Sequence, residues 1–146
     1  MRFFDSIEVG EVNELGEYQV TKEDIIEFGE KYDPQPFHTD EQAAEDSMFG
    51  GLVASGWHTA AICMRLLVDG TDDMAAQAGI GIDNLRWHRP LRPGDTLRLR
   101  NEIIEKRLSE SQDDRGYVTT RHEGWNQNDK LVIAYEGTAI VRRREE

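Results

Sequence analysis

An aspartate and a histidine stand five positions apart in the segment YDPQPFHTDEQAA, as Asp33 and His38. Histidine exchanges protons near neutral pH unaided, and burial or neighbouring groups can tune an aspartate to do the same. The pair therefore has the residue types that general acid–base catalysis needs. A plainer interpretation is also available, because Asp33 could simply end one helix and His38 could stand beside the cap of the next.

The path of the chain between the two residues decides whether they can act together. Pro34 and Pro36 lie between them. A straight polyproline path rises about 3.1 Å per residue and would separate the two α-carbons by roughly 15 Å, too far to share one water molecule. The catalytic interpretation therefore predicts that the segment curls and brings the two side chains together.

The elements on either side of the pair follow from local signals. Residues 14–20 alternate enough to predict a strand, and Thr21 begins a capping-box-like sequence that predicts a helix. This helix should end at Asp33, because a residue before proline is disfavoured in the helical region. Either Thr39 or Asp40 can cap a second, short helix through DEQAAED.

The rest of the chain predicts one buried helix and an antiparallel sheet. From Trp57 to Val68 the sequence is apolar around nearly its whole circumference, apart from Arg65, so we expect the rest of the protein to wrap this helix. The second half then predicts four strands separated by turn signals, which gives an α+β arrangement. The four predicted strands are GIDNLRWHRPL, DTLRLRNEIIEKR, GYVTTRHEGWNQ and KLVIAYEGTAIVRRR.

Composition limits the classes of function. A chain of 146 residues, 38% hydrophobic and 32% charged, suits a single domain with one core. Its net charge of -12 argues against nucleic acid and anionic membrane as partners, since both bind basic surfaces. No apolar stretch is long enough to span a bilayer, and we expect a cytoplasmic protein. Cys63 is the single cysteine and is expected to be buried, so neither an intramolecular disulfide nor a cysteine-based zinc cluster can form.

The order of DPQPFHTDEQAA, FGGLVASGWH, a central helix and RPLRPGDTL resembles the MaoC-like (R)-specific enoyl-CoA hydratase family over nearly the whole chain. Asp33, Pro36 and His38 match the family signature Asp-x-Asn-Pro-x-His, and Gln35 stands where asparagine is usual. The resemblance implies one hot-dog domain over residues 1–146, with an antiparallel sheet wrapped around a central buried helix. It also implies that Asp33 and His38 hold and activate the water that adds to the β-carbon of a 2-enoyl-CoA or related thioester.

Negative charge that develops on the thioester oxygen needs fixed hydrogen-bond donors. The start of a helix offers free N–H groups, so Gly56, at the start of the central helix, is the candidate oxyanion donor. Many relatives have histidine before this glycine, where this chain has Ser55. Arginines near the RPLRPGD turn suit the phosphates of CoA. The expected substrate contacts are Gln35, Pro36, Phe37, Ser55, Trp57, Arg86 and Arg89.

Two other functions remain open on the sequence. One is a hot-dog acyl-CoA thioesterase, although the family patterns for hydrolysis are not matched around His38 and the central helix has no acid before Asp69. The other is a non-catalytic acyl-CoA-binding subunit, which the departures at Gln35 and Ser55 keep open. No cofactor is expected, and a metal site from His38, Asp40 and His58 lacks any recognised ligand spacing.

The expected protein partner is a second copy of this chain. A single hot-dog sheet leaves an edge strand that invites pairing, and in the resembling family two subunits form a dimer with the pocket at their interface. We therefore expect a homodimer, or a higher assembly of dimers, that binds an acyl-CoA thioester.

Overall fold

The protein, in a computed structural model that describes residues 1–145, contains four α-helices, one turn of 3₁₀ helix at Phe4–Ser6 and one five-stranded sheet. No helix among these residues is both long and apolar enough to cross a membrane. In chain order the elements are β1 (Val12–Gln19), α1 (Lys22–Tyr32), α2 (Pro36–Thr39), α3 (Glu41–Glu45), α4 (Gly56–Gly70), β2 (Ala76–Trp87), β3 (Thr96–Leu108), β4 (Arg115–Trp125) and β5 (Leu131–Arg142).

Helices α1 and α3 begin and end where their caps predict. The Thr21 hydroxyl accepts a hydrogen bond from the backbone of Asp24, and α1 stops at Asp33 before Pro34. The Asp40 carboxylate caps α3. The sequence did not predict α2, a single turn that starts at Pro36, a residue well suited to the first helical position.

The sheet has the order β1-β3-β4-β5-β2, and every neighbouring pair of strands is antiparallel. The four predicted strands of the second half are confirmed, with one difference. Strand β2 starts earlier than expected, at Ala76, and ends at Trp87, so that His88 follows the strand instead of lying on it. Strands β1 and β2 form the two edges of the sheet.

Helix α4 packs one face against the sheet, which confirms the α+β hot-dog fold that solved neighbours share. Ile62, Cys63 and Leu66 on this face belong to the same buried cluster as residues of β3 and β5. The opposite face is not covered by any of residues 1–145, since Met64 is 51% and Val68 55% exposed. The expectation of burial on all sides therefore fails for half of the helix.

Candidate active site

The segment between Asp33 and His38 curls, as the catalytic interpretation predicts. The single turn of α2 lies against α1 and places His38 Nε2 at 3.3 Å from Asp33 Oδ2. Gly29 on α1 makes this possible, because a Cβ there would lie only 2.8 Å from the His38 carbonyl oxygen and 3.0 Å from its Cβ. A larger residue at position 29 would hold α2 away from α1.

The ring of His38 has one defined orientation. It is 5% exposed, and its Nδ1 lies 2.7 Å from the carbonyl oxygen of Val53. A carbonyl can only accept, so Nδ1 must carry the proton that is donated. In the neutral ring, Nε2 then keeps its lone pair and directs it toward Asp33 and the cavity.

The Asp33 carboxylate receives a donor at each oxygen. Gln35 Nε2 donates to Oδ1 at 2.7 Å, and the Ser55 hydroxyl donates to Oδ2 at 2.7 Å. Partial burial pushes the pKa of Asp33 upward, but these two hydrogen bonds and the neighbouring His38 outweigh it and lower the pKa below its usual value. Asp33 is therefore an anion near neutral pH. Asp33 Oδ2 and neutral His38 Nε2 are both acceptors, an arrangement that a water molecule can satisfy by donating one proton to each.

The start of α4 lies beside this pair. Ser55 is the residue before the helix, and its hydroxyl accepts from the backbone N–H of Trp57. Gly56 is the first helical residue, and its N–H is paired with no acceptor among residues 1–145. This free N–H, at the positive end of the helix dipole, can stabilise an anionic oxygen.

Trp87 at the end of β2 packs directly on Gly56. Its indole Nε1 donates to the Gly56 carbonyl oxygen at 2.8 Å. A Cβ at position 56 would lie 2.6 Å from Trp87 Cε2, so only glycine fits without a shift of the ring. The ring also contacts Trp57 edge to face, with centroids 5.3 Å apart.

These elements enclose a cavity of about 480 Å³. Of the predicted site residues, Asp33, Gln35, Phe37, His38, Gly56, Trp57 and Arg89 line this cavity. Pro36, Ser55 and Arg86 do not line it. Ser55 is fully buried behind Asp33, and Arg86 lies on β2 with its guanidinium donating to the Leu85 carbonyl oxygen.

Several lining residues were not singled out from the sequence. Trp87 is the last residue of β2, His88, Pro90 and Leu91 lie in the segment that follows the strand, and Thr59 lies one turn into α4. The signal for Trp87 was its position in RWHRPLR, an aromatic residue among arginines. No signal identified Thr59, because a threonine in an apolar helix is ordinary core material.

The side chains considered above as metal ligands make other contacts. Asp40 caps α3, and His58 stacks on Phe28 with ring centroids 4.7 Å apart. No group of three or more histidine, cysteine or acidic side chains suited to a metal ion is found among residues 1–145.

Fold and site together define a hot-dog protein with an aspartate–histidine pair at a helix-capped cavity. The chain belongs to the family of MaoC-like domains, whose family model matches residues 6–126. It is similar to a MaoC-like dehydratase from Rhodospirillum rubrum, with 39% identity, a TM-score of 0.93 and complete coverage of both chains. This membership supports hydratase or dehydratase activity.

Two curated relatives extend the comparison. An uncharacterised Bacillus subtilis protein, YdeM, is 29% identical over 142 residues, which cover 95% of this chain and 98% of YdeM. Mesaconyl-CoA hydratase from Cereibacter sphaeroides is 36% identical over 70 residues, which cover 48% of this chain but 20% of that enzyme. The second similarity is therefore confined to part of a longer protein.

Proposed function

We propose that this protein adds water reversibly across the double bond of a 2-enoyl-CoA, or a related acyl thioester, to give a 3-hydroxyacyl thioester. The observation that carries the proposal is the 3.3 Å approach of His38 Nε2 to Asp33 Oδ2 at a cavity that is also lined by Gly56, whose N–H has no acceptor among residues 1–145. Mesaconyl-CoA hydratase, by its name, acts on a thioester of this class.

Each group has a role that its geometry supports. Water held by Asp33 and His38 loses a proton to His38 Nε2 while its oxygen bonds to the β-carbon. The electrons of the double bond move to the thioester oxygen, where the Gly56 N–H and the α4 dipole stabilise the enolate. The imidazolium then returns the proton to the α-carbon, so that His38 and Asp33 end as they began.

Steady-state hydration tests the proposal. Crotonyl-CoA and a panel of longer, branched and dicarboxylic enoyl-CoAs would be supplied while enoyl absorbance and free thiol are followed together. We expect loss of enoyl absorbance without thiol release, and each of Asp33→Asn and His38→Ala should slow turnover by about 10²-fold to 10⁴-fold. Asp40→Asn is the matched control, since asparagine caps a helix as well as aspartate does and Asp40 does not line the cavity.

The same assay decides the alternatives. Thiol release would favour the thioesterase, and binding of acyl-CoA without turnover across the panel would favour the accessory subunit. Among the described residues that line the cavity, Asp33 is the one carboxylate, and Asp69 pairs with Arg65 near the far end of α4. A thioesterase mechanism that needs an acid on the central helix therefore has little support.

We also propose that apolar residues bind the acyl group of the substrate and that basic residues bind the phosphates of its CoA. Phe37, Phe49 and Leu91 give the cavity an apolar wall suited to the acyl group. The ion pairs formed among residues 1–145 do not include Arg86 or Arg89, although many other arginines of this acidic chain pair with carboxylates. Two guanidinium groups free of carboxylates near the cavity suit the phosphates of CoA.

Arg89→Ala tests this role. It should raise KM for crotonyl-CoA more than for crotonyl-pantetheine, which lacks the nucleotide phosphates, and should leave kcat nearly unchanged. Arg115→Ala is the control, because Arg115 pairs with its neighbour Asp114. An equal rise of KM for both thioesters would contradict phosphate binding by Arg89.

A homodimer is the assembly that we propose. Strand β2 is an edge strand with Ile80 52% and Ile82 53% exposed, and it borders the uncovered face of α4. Between them lies a largely apolar groove of about 510 Å³, and a second copy that pairs along β2 would cover it. Light scattering should give a dimer that Ile80→Asp disrupts, whereas Val12→Asp on the other edge strand should stay dimeric. A monomeric wild type would contradict the proposal.

The cytoplasmic location stays a prediction.

A further inference from the structure

Ser55 makes two hydrogen bonds that join separate parts of the site. Its hydroxyl donates to Asp33 Oδ2 at 2.7 Å and accepts from the Trp57 N–H at 3.3 Å. A hydroxyl can donate once and accept at the same time, so both bonds are compatible. The side chain is fully buried and does not line the cavity, so it acts on the reaction through the groups that it bonds, the Asp33 carboxylate and the start of α4.

We infer that Ser55 is a positioning residue, which together with Gln35 clamps the Asp33 carboxylate in the plane that faces His38. The inference rests on the proposed function and deepens it. A terminal carboxylate rotates in a broad torsional well, so a single donor would leave its plane poorly defined. Donors on both oxygens, Gln35 on Oδ1 and Ser55 on Oδ2, define the plane and leave Oδ2 beside His38 Nε2.

The clamp also sets the direction of proton transfer. Hydrogen bonds donated to a carboxylate favour its charged form, which makes Asp33 a poor acceptor for a proton from water. When the ring of His38 is protonated, its charge also acts on Asp33 and helps to lower the pKa of that carboxyl. With Asp33 held as an anion, the proton goes to His38 Nε2, and Asp33 orients the water and stabilises the imidazolium.

Ser55→Ala tests the clamp, and Thr21→Ala is its matched control. Both changes remove a hydroxyl that caps a helix, but Thr21 caps α1 through Asp24 and does not touch Asp33. A hydrogen bond to a charged group is strong enough that its loss should lower kcat about 10-fold to 100-fold, with KM nearly unchanged. Thr21→Ala should lower the melting temperature comparably and leave kcat as in the wild type. Ser55→Gly separates the two roles, since glycine is a fair cap without a hydroxyl, and should lose as much turnover as Ser55→Ala with a smaller loss of stability.

A second measurement does not depend on activity. Carbon-13 carboxyl NMR on aspartate-labelled protein, with the Asp33 signal assigned by its absence in Asp33→Asn, gives the titration midpoint of this group. The midpoint should rise in Ser55→Ala and in Ser55→Gly and stay unchanged in Thr21→Ala. If no thioester is hydrated, the proposed function fails while the titration still tests the clamp. An unmoved midpoint would overturn the clamp, and a raised midpoint with kcat equal to that of Thr21→Ala would overturn the positioning role.

Discussion

Alanine at position 56 would test whether the close approach of Trp87 to α4 shapes the site. The added Cβ would lie 2.6 Å from Trp87 Cε2 and 2.8 Å from Nε1. Non-bonded carbon atoms sit at about 3.5–4.0 Å, so the methyl group and the ring overlap by about 1 Å. The Trp87 ring is rigid, and its Nε1 donates a hydrogen bond to the Gly56 carbonyl oxygen. Either the ring or the start of α4 must therefore move by that amount.

The expected losses differ for stability and activity. Overpacking costs about 1–3 kcal/mol. Replacing glycine by alanine in a helix stabilises the folded state by about 1 kcal/mol. The net destabilisation of about 0–2 kcal/mol would lower Tm by at most roughly 8 °C, at about 2–4 °C per kcal/mol. A displacement of about 1 Å in a positioned site can cost 10²-fold in rate, and we expect Gly56→Ala to lose about that much kcat.

Gly70→Ala is the control, because it adds a methyl group to the last residue of the same helix. Its Cβ would lie 2.9 Å from Leu15 Cδ2 and 3.2 Å from Leu15 Cβ, so this variant also crowds its neighbour, but at the end of α4 away from the cavity. Crotonyl-CoA hydration and thermal unfolding would be measured for both variants. Gly70→Ala should keep wild-type kcat. A Gly56→Ala protein with wild-type kcat, whatever its Tm, would refute the claim that the N–H at position 56 is a positioned donor.

Three further predictions concern other residues. Gly29→Ala should lower kcat by about 10²-fold, because its Cβ would press on the His38 backbone and move that ring; a normal kcat would contradict the role given to the α1–α2 contact. Burial lowers the pKa of His122 to about 4, below the usual value of about 6.5, so the unfolded chain binds more protons between these values. The free energy of unfolding should fall by roughly 3 kcal/mol as pH falls through that range. His122→Phe should flatten the dependence of the unfolding free energy on pH. An unchanged slope in this variant would contradict the lowered pKa of His122. Burial raises the pKa of the Cys63 thiol to about 12, so a thiol reagent should label it in guanidinium but not in the native protein, and fast native labelling would disprove its burial.

Features that depend on neighbouring residues could be predicted from the sequence. Thr21 and Asp40 cap their helices because a hydroxyl or a carboxylate before a helix can accept from its first free N–H groups. Asp33 ends α1 because Pro34 disfavours helical backbone before it. The requirement that the Asp33–His38 segment curl was also available, because it follows from chain geometry and the reach of one water molecule.

Features that depend on residues far apart in sequence could not be predicted. Ser55 reaches Asp33 across 22 positions, and Trp87 reaches Gly56 across 31. No period or spacing encodes these contacts, since they arise when the end of α1 and the end of β2 each meet the start of α4 in the finished fold. The uncovered face of α4 has the same origin, because an apolar face in the sequence does not say whether its own chain or a second copy covers it.

The two departures from the family signature are better understood together than apart. Taken singly, Gln35 and Ser55 each look like a weakened site, because each replaces a residue that relatives use. In the fold the longer Gln35 side chain reaches Asp33 Oδ1, and the short Ser55 side chain fits wholly inside and reaches Oδ2. Both changes therefore act on one carboxylate, and neither removes the His38 Nε2 lone pair or the free Gly56 N–H. A chain that had lost catalysis would have little reason to keep a partly buried, doubly hydrogen-bonded carboxylate facing a cavity, because even partial burial of that charge costs stability wherever its partners are imperfect. The arrangement at Asp33 thus favours an enzyme over an accessory binder.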